Sequence, residues 1–215
     1  SATGEEDELP VRQVFLDAYW IDKFEITNEQ YEKCRTAGAC TFPRFGSSFT
    51  RDPYYHDPNF ANYPVIFVDW SQAQDYCKWV GGNLPTEAQW EKAARGEDGR
   101  TYPWGDKEPD NNMANYGGKQ GGDTVEVGSY IKGASPYGAL DMAGNVEEWT
   151  LDFYGVYDSD ETNNPTGPTN GQFRVVRGGS WDNYASNELR SSKRSQMNLA
   201  YYSNDLGFRC VVPAP

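Results

Sequence analysis

Histidine is almost missing from this sequence. One residue, His56, stands among 215, so a histidine cluster for iron or a mixed histidine and cysteine site for zinc cannot be assembled. A Ser–His hydrolytic pair would depend on that same side chain, which reads as a surface or hydrogen-bonded loop residue. Cysteine is scarce too: the four residues include no CxxC pair and are too few for a disulfide scaffold at this length. Cys34 and Cys40 flank Thr36-Ala37-Gly38 closely enough to staple a local loop, whereas Cys77 and Cys210 would have to meet across the fold or stay reduced. No run of about eighteen apolar residues exists, which excludes a membrane-spanning helix. Basic residues are in deficit, with 19 Lys and Arg against 32 Asp and Glu, for a net charge of −13. Long-range repulsion therefore argues against nucleic acid or an anionic membrane as partner. The acidic leader Ser1–Glu8 has no signal-peptide apolar core. Compartment follows the cysteines: cell surface or extracytoplasmic if they pair, cytoplasmic otherwise.

Aromatic residues are abundant. Seven Trp, 15 Tyr and 10 Phe can fill a core, while 22 Gly and 13 Pro mount much of it on turns. A single α+β domain over 1–215, monomeric and poor in regular structure, is the expectation. Capping-box patterns at Thr27–Gln30, Ser71–Gln74 and Thr86–Gln89 predict short helices. The first should stop at Gly38. The second should bury Ala73, Tyr76, Cys77 and Val80 and end at Gly81-Gly82; the third should bury Trp90, Ala93 and Ala94 and end at Gly96. Val14–Ile21 and Val65–Val68 read as strands. Thr41–Tyr63 is a long ordered loop, and the Gly-, Asn- and Asp-rich stretch from Tyr102 to Gly138 needs something local to pin it, for which oxygen-held cations are a candidate.

The rest of the chain is organised around residues 178–210. Arg177-Gly178-Gly179-Ser180-Trp181 opens this stretch and Leu206-Gly207-Phe208-Arg209-Cys210 closes it. Between them lie polar and aromatic residues free of glycine and proline, consistent with a side-chain-rich surface on fixed backbone. The flanking Phe173, Val175, Leu206, Phe208 and Val211 have the spacing of strands that bury one face.

Taken in order, Asp22-Lys23-Phe24-Glu25-Ile26-Thr27-Asn28, Leu84-Pro85-Thr86-Glu87-Ala88-Gln89-Trp90-Glu91, Tyr102-Pro103-Trp104-Gly105, Gly144-Asn145-Val146-Glu147-Glu148-Trp149, Arg177–Trp181 and Gly207–Cys210 resemble the motifs of formylglycine-generating enzymes over essentially the whole chain. The resemblance implies the family's variant of the C-type lectin fold. It also implies calcium, in a structural role, at two sets of oxygen ligands. One comprises Asn115, the Tyr116 carbonyl, Asp123 and the Val125 carbonyl; the other comprises Asp141, the Gly144 and Val146 carbonyls and Glu148. A Cys77–Cys210 disulfide is implied as well. The family's enzymes hold copper with two cysteines just after the Gly-Gly-Ser motif, and no cysteine lies between Trp181 and Asp205. Neither copper nor iron is expected, nor oxidase catalysis.

The resemblance extends to variable proteins of bacterial diversity-generating retroelements, in which this segment forms a changeable ligand surface. That implies a contact face of Asp182, Asn183, Tyr184, Ser186, Asn187, Glu188, Ser191, Lys193, Tyr201, Tyr202, Ser203 and Asn204 for a protein or small ligand. An accessory or sensory domain of a larger bacterial kinase- or protease-linked protein is the alternative, and an enzyme with altered oxidase chemistry is a third reading.

Overall fold

The computed structural model describes residues 4–118 and 121–214. The first three positions of the acidic leader and the final Pro215 lie outside the described residues.

Three helices form where a side chain satisfies the free backbone N–H groups of the first turn. Thr27 caps α1 (Asn28–Thr36) and Thr86 caps α3 (Glu87–Arg95), with Gln30 and Gln89 closing the reciprocal bonds. Helix α2 (Trp70–Trp79) starts before the position expected from Ser71: its cap is Asp69, paired with Gln72. The carboxylate of Asp69 wins because Arg44 holds its other oxygen at 2.6 Å. Helix α2 buries Ala73, Tyr76 and Cys77, but Val80 sits past the helix end and is exposed.

The sheets join distant parts of the chain. Strand β1 (Tyr19–Ile21) pairs antiparallel with the final strand, setting Tyr19 opposite Pro213. The main sheet has the order β4-β3-β2-β5, from β2 (Glu147–Phe153), β3 (Phe173–Arg177), β4 (Ser195–Asn198) and β5 (Leu206–Gly207). Strand β6 (Val211–Pro213) belongs to the smaller sheet. The β2–β3 and β3–β4 pairs are antiparallel, and β5 lies parallel to β2. Only the last residues of the expected Val14–Ile21 strand are extended in a sheet; Phe15 instead makes an isolated bridge to Asn163. Val65, Ile66 and Val68 are buried as expected, yet they form no strand. Phe67 at φ 57° turns the backbone out of the extended region.

The largest core cluster gathers Tyr31, Tyr76, Leu84, Trp149 and Phe208 with both cysteine pairs. Burying each such apolar side chain contributes roughly 1.5–3 kcal/mol. Disulfides join Cys34 to Cys40 and Cys77 to Cys210, the latter across 133 positions.

The arginines at the two brackets are internal struts. Arg177 is fully buried and its Nη2 lies 2.6 Å from Glu91; Arg209 is equally buried against Glu148. Gly207 permits a close approach, because a Cβ there would stand 2.9 Å from the Val65 carbonyl oxygen. At Gly179, φ is 68° and a side chain would meet the Glu188 carbonyl oxygen.

Candidate functional site

Between β3 and β5 the chain crosses the surface as residues 178–205, interrupted by β4. Its backbone is held from beneath. The Trp181 indole is buried and donates to the Asn204 carbonyl at 3.2 Å, so it ties one end of the segment to the other. Gly117 and Gly118 donate to the carbonyls of Asn183 and Trp181, both at 2.8 Å. Asp205 accepts from the Ser180 hydroxyl at 2.9 Å and from the Ser203 hydroxyl, while its carbonyl accepts from the Glu147 amide. Below lies the buried carboxyl of Glu147. Loss of solvent, reinforced by Asp205, pushes its pKa up to about 8.

On this floor the expected contact residues divide. Tyr184 is 76% exposed, and Asp182, Asn187, Tyr201 and Tyr202 are also open. Ser186, Glu188, Ser203 and Asn204 are half-buried at the rim, and Asn183 turns its amide oxygen inward to accept from the Ser180 amide. Two residues leave the set. Ser191 is fully buried, its amide donating to Thr101 and its carbonyl accepting from Arg177, so it offers a ligand nothing. Lys193 is held by Glu5 at 2.9 Å and approaches Glu188 at 3.5 Å, so its charge serves the fold.

The structure adds residues that the sequence pattern did not suggest. Phe45 packs edge-on against Phe67, with ring centroids 5.0 Å apart, and lies 6.0 Å from Tyr202. Phe49 lies 5.5 Å from Trp181 and is 66% exposed. Arg44 stands over Tyr202. The loop containing Thr41–Tyr63 therefore extends the aromatic face, and the Phe67 amide joins it to the segment by donating to the Ser203 carbonyl at 2.9 Å. A positive φ at an aromatic residue costs about 1–3 kcal/mol and is found where surrounding packing enforces it. The open aromatic types Phe45 and Phe49, beside a proline in a loop, were the available sequence signal. His56 is exposed and packs on Tyr55 and Phe42.

The two oxygen-ligand sets lie in the interior below. In the first, Asn115 is buried and its Oδ1 accepts no hydrogen bond, which leaves an oxygen open to a cation. Asp123 is already served: Oδ2 accepts from Ser48 and from both Thr50 groups, and Oδ1 from the Thr124 amide. Val125 lends its carbonyl to Asn145 at 3.4 Å. Tyr116 donates its hydroxyl to Pro109.

In the second set, Glu148 spends both oxygens on Arg209 and also accepts from the Trp90 indole. Asp141, at φ 57°, accepts from the Gly128 amide at 2.6 Å. Gly144 and Val146 flank Asn145, whose amide group donates to Glu25. The second set fits a hard cation on charge: Glu25, Asp141 and Glu148 surround the single guanidinium of Arg209. Without further positive charge, burial lifts Glu25 well above the usual carboxylate range and Asp141 to about 6. The first set fits through Asn115 alone.

The sequence matches the Sulfatase-modifying factor enzyme 1-like domain over residues 1–214, and the chain belongs to that family. Its fold is the family's α+β variant of the C-type lectin fold. A Chlamydia caviae protein named serine/threonine-protein kinase pkn1 is 37% identical, covering 98% of this chain and 35% of that protein. The mouse formylglycine-generating enzyme is 33% identical, covering 97% of this chain and 69% of the enzyme. Among solved structures, Treponema denticola variable protein 1 superposes with a TM-score of 0.78 at 26% identity, covering 94% of this chain and 87% of that one. The chain spans about a third of the length of the kinase relatives it matches.

Proposed function

We propose that this is a non-catalytic binding domain whose contact face combines residues 182–204 with the Phe45–Phe49 loop and takes a protein partner. The observation that carries the reading is the aromatic rim of Phe45, Phe49, Tyr184, Tyr201 and Tyr202 on a backbone pinned by Trp181, Asp205 and the Phe67 amide. Rigid tyrosines cover area at low entropic cost and supply one polar atom each, which suits adaptable recognition. All four cysteines are paired, which supports the non-catalytic reading. Similarity to a variable protein supports a surface that differs between copies of the gene.

In the same reading, calcium at Asp141–Glu148, and at Asn115 and Asp123, pins the loop-rich middle. The disulfides suit a domain outside the cytoplasm or at the cell surface, acting as a monomer. Attachment to a bacterial kinase is a second, compatible reading, favoured by the 98% coverage of this chain by a kinase-named relative.

Two measurements test the proposal. Sequencing many copies of the gene from the source population should find variation concentrated in codons 182–205; an invariant window would leave a dedicated domain with one partner. Copper-dependent oxygen consumption in the presence of a cysteine peptide should be absent, and turnover would overturn the non-catalytic reading.

A further inference from the structure

Residues 4–16 run as a strap across the molecule. At one end Glu8 engages Arg190 at 2.6 Å and Glu5 engages Lys193. At the other, the Phe15 amide donates to the Thr162 carbonyl, and its carbonyl accepts from the Asn164 amide, both at 2.8 Å. Burial alternates between these anchors: Arg12, Val14 and Leu16 are half-buried, while Val11, Gln13 and Phe15 are exposed. The strap walls a groove of about 1220 Å³, bounded on its other sides by α3 and by residues between 152 and 169.

This groove is short of positive charge. Arg194 is matched with Glu87, Arg95 with Glu91 and Lys92 with Glu97, and the Arg12 guanidinium is stacked on Tyr157 with its Nε and Nη1 buried. Asp152, Asp158 and Glu161 also line it and make no ion pair among the described residues. Asp158 and Glu161 lie towards solvent, each accepting an amide of its own loop, from Asp160 and Thr166.

Asp152 is different, because it is only 4% exposed. Its Oδ2 accepts from the Glu87 amide at 2.7 Å, and no donor among the described residues reaches Oδ1. Gly167 leaves that oxygen approachable, since a Cβ there would stand 3.1 Å from it. The charges that act on Asp152 are Glu87 on α3, Glu161 on the facing loop and Arg174 on β3. Arg174 turns instead to the Leu151 carbonyl and to the rings of Trp70 and Phe153. Burial, with the charges of Glu87 and Glu161, pushes the Asp152 pKa up to about 7. A cationic donor at Oδ1 would supply both the missing hydrogen bond and the missing charge. One open oxygen suits the point charge of an ammonium; the parallel fork of a guanidinium needs two, and Oδ2 is already occupied.

We propose that the groove under the strap binds an aliphatic primary amine, its ammonium on Asp152 Oδ1 beside Glu161 and its apolar arm along Val14 and Leu16. The site uses none of the exposed side chains of the contact face and does not depend on its role.

Calorimetric titration of the domain with hexylamine and with Nα-acetyl-lysine methylamide tests this, with 1-hexanol and hexanoate as the neutral and anionic counterparts. An amine should bind and the counterparts should not; tighter binding of hexylamine would identify a free amine as the ligand, tighter binding of the amide a lysine side chain. Asp152→Asn, which keeps an oxygen for the Glu87 amide, should weaken the amine about tenfold or more. Glu161→Gln, on the surface loop, should weaken it about threefold, and it decides the matter if the Asp152 variant does not melt cooperatively. Failure of both amines to bind, binding of hexanol or hexanoate as tight as that of hexylamine, or undiminished binding by the deciding variant would each overturn the proposal.

Discussion

Arg209 holds Glu148 with two parallel bonds, Nη2 to Oε1 at 2.6 Å and Nε to Oε2 at 2.7 Å, with neither side chain exposed. The pair fastens β2 to the residues just after β5, and the guanidinium also reaches the carbonyls of Asp22, Lys23 and Leu140. Breaking one half strands the other charge in the interior. Arg209→Met should therefore destabilise the domain by about 3–5 kcal/mol, read as a fall in the denaturant midpoint. Adding Glu148→Leu should recover part of that loss, since the residual carboxylate is then gone. An undiminished deficit in the double variant would show that the carbonyl contacts of Arg209, and not the ion pair, carry its effect.

The buried acids give stability an unusual pH slope. Glu147 titrates at about 8, Asp152 at about 7 and Asp141 at about 6, each lifted chiefly by burial. A carboxyl whose folded pKa exceeds its unfolded one binds more protons when folded, so stability declines as pH rises between the two values. The melting temperature should fall from mildly acidic conditions towards about pH 8, and Glu147→Gln should flatten the upper part of the decline. A melting temperature that rises across this window would contradict the assignment.

Calcium would act on Asp141 and on its neighbour Glu25. If it occupies the Asp141–Glu148 set, EDTA should lower the melting temperature and steepen its decline with pH, because Glu25 and Asp141 lose a counter-charge. Asp141→Ala should remove the part of the EDTA response that this set contributes. No metal by elemental analysis and no response to chelation would eliminate the calcium proposal.

The Cys77–Cys210 link closes a loop with a separation of 133 positions. In the chain-entropy account such a link contributes on the order of 4–5 kcal/mol. Replacing both cysteines by Ala should lower the unfolding midpoint much more than replacing Cys34 and Cys40, whose separation is 6. Comparable losses from the two pairs would indicate that packing, not loop closure, sets their value.

Tyr201 and Tyr202 are both exposed, so replacing them with Ala should change the melting temperature little, within about 0.5 kcal/mol of stability. The same double variant should lose capture of a protein partner in a pull-down from the source organism. Unfolding of the variant would instead identify the pair as core.

Much of the scaffold was legible because its signals are local. Thr27 with Gln30 and Thr86 with Gln89 announced helices whose first turns they cap. The box at Ser71 misled because Asp69, two positions earlier, caps α2 while also bound to Arg44, a contact made at a distance along the chain. Strand β2 was hidden for a similar reason: Glu147, Glu148 and Asp152 are acids on a buried strand, where Arg209 and Trp90 hold Glu148 and the Glu87 amide holds Asp152. That Tyr184, Tyr201 and Tyr202 are open followed from the segment's composition. That Ser191 turns inward, that Lys193 is tied to the leader, and that Phe45 and Phe49 join the rim could not, since each depends on how separate loops meet.

The order of Cys210 and β6 has a mechanical consequence. Strand β6 ends opposite the start of β1, so tension between Ala18 and Ala214 would peel the pair apart one hydrogen bond at a time from Pro213 inward, which takes little force. Peeling then reaches Cys210, where a covalent bond to α2 stops it. Residues 178–205 lie off the load path that this link defines, whereas Phe45 and Phe49 lie on it, between Ala18 and Cys77. Load entering at Ala214 would be borne by the Cys77–Cys210 sulfurs and would bypass residues 178–205.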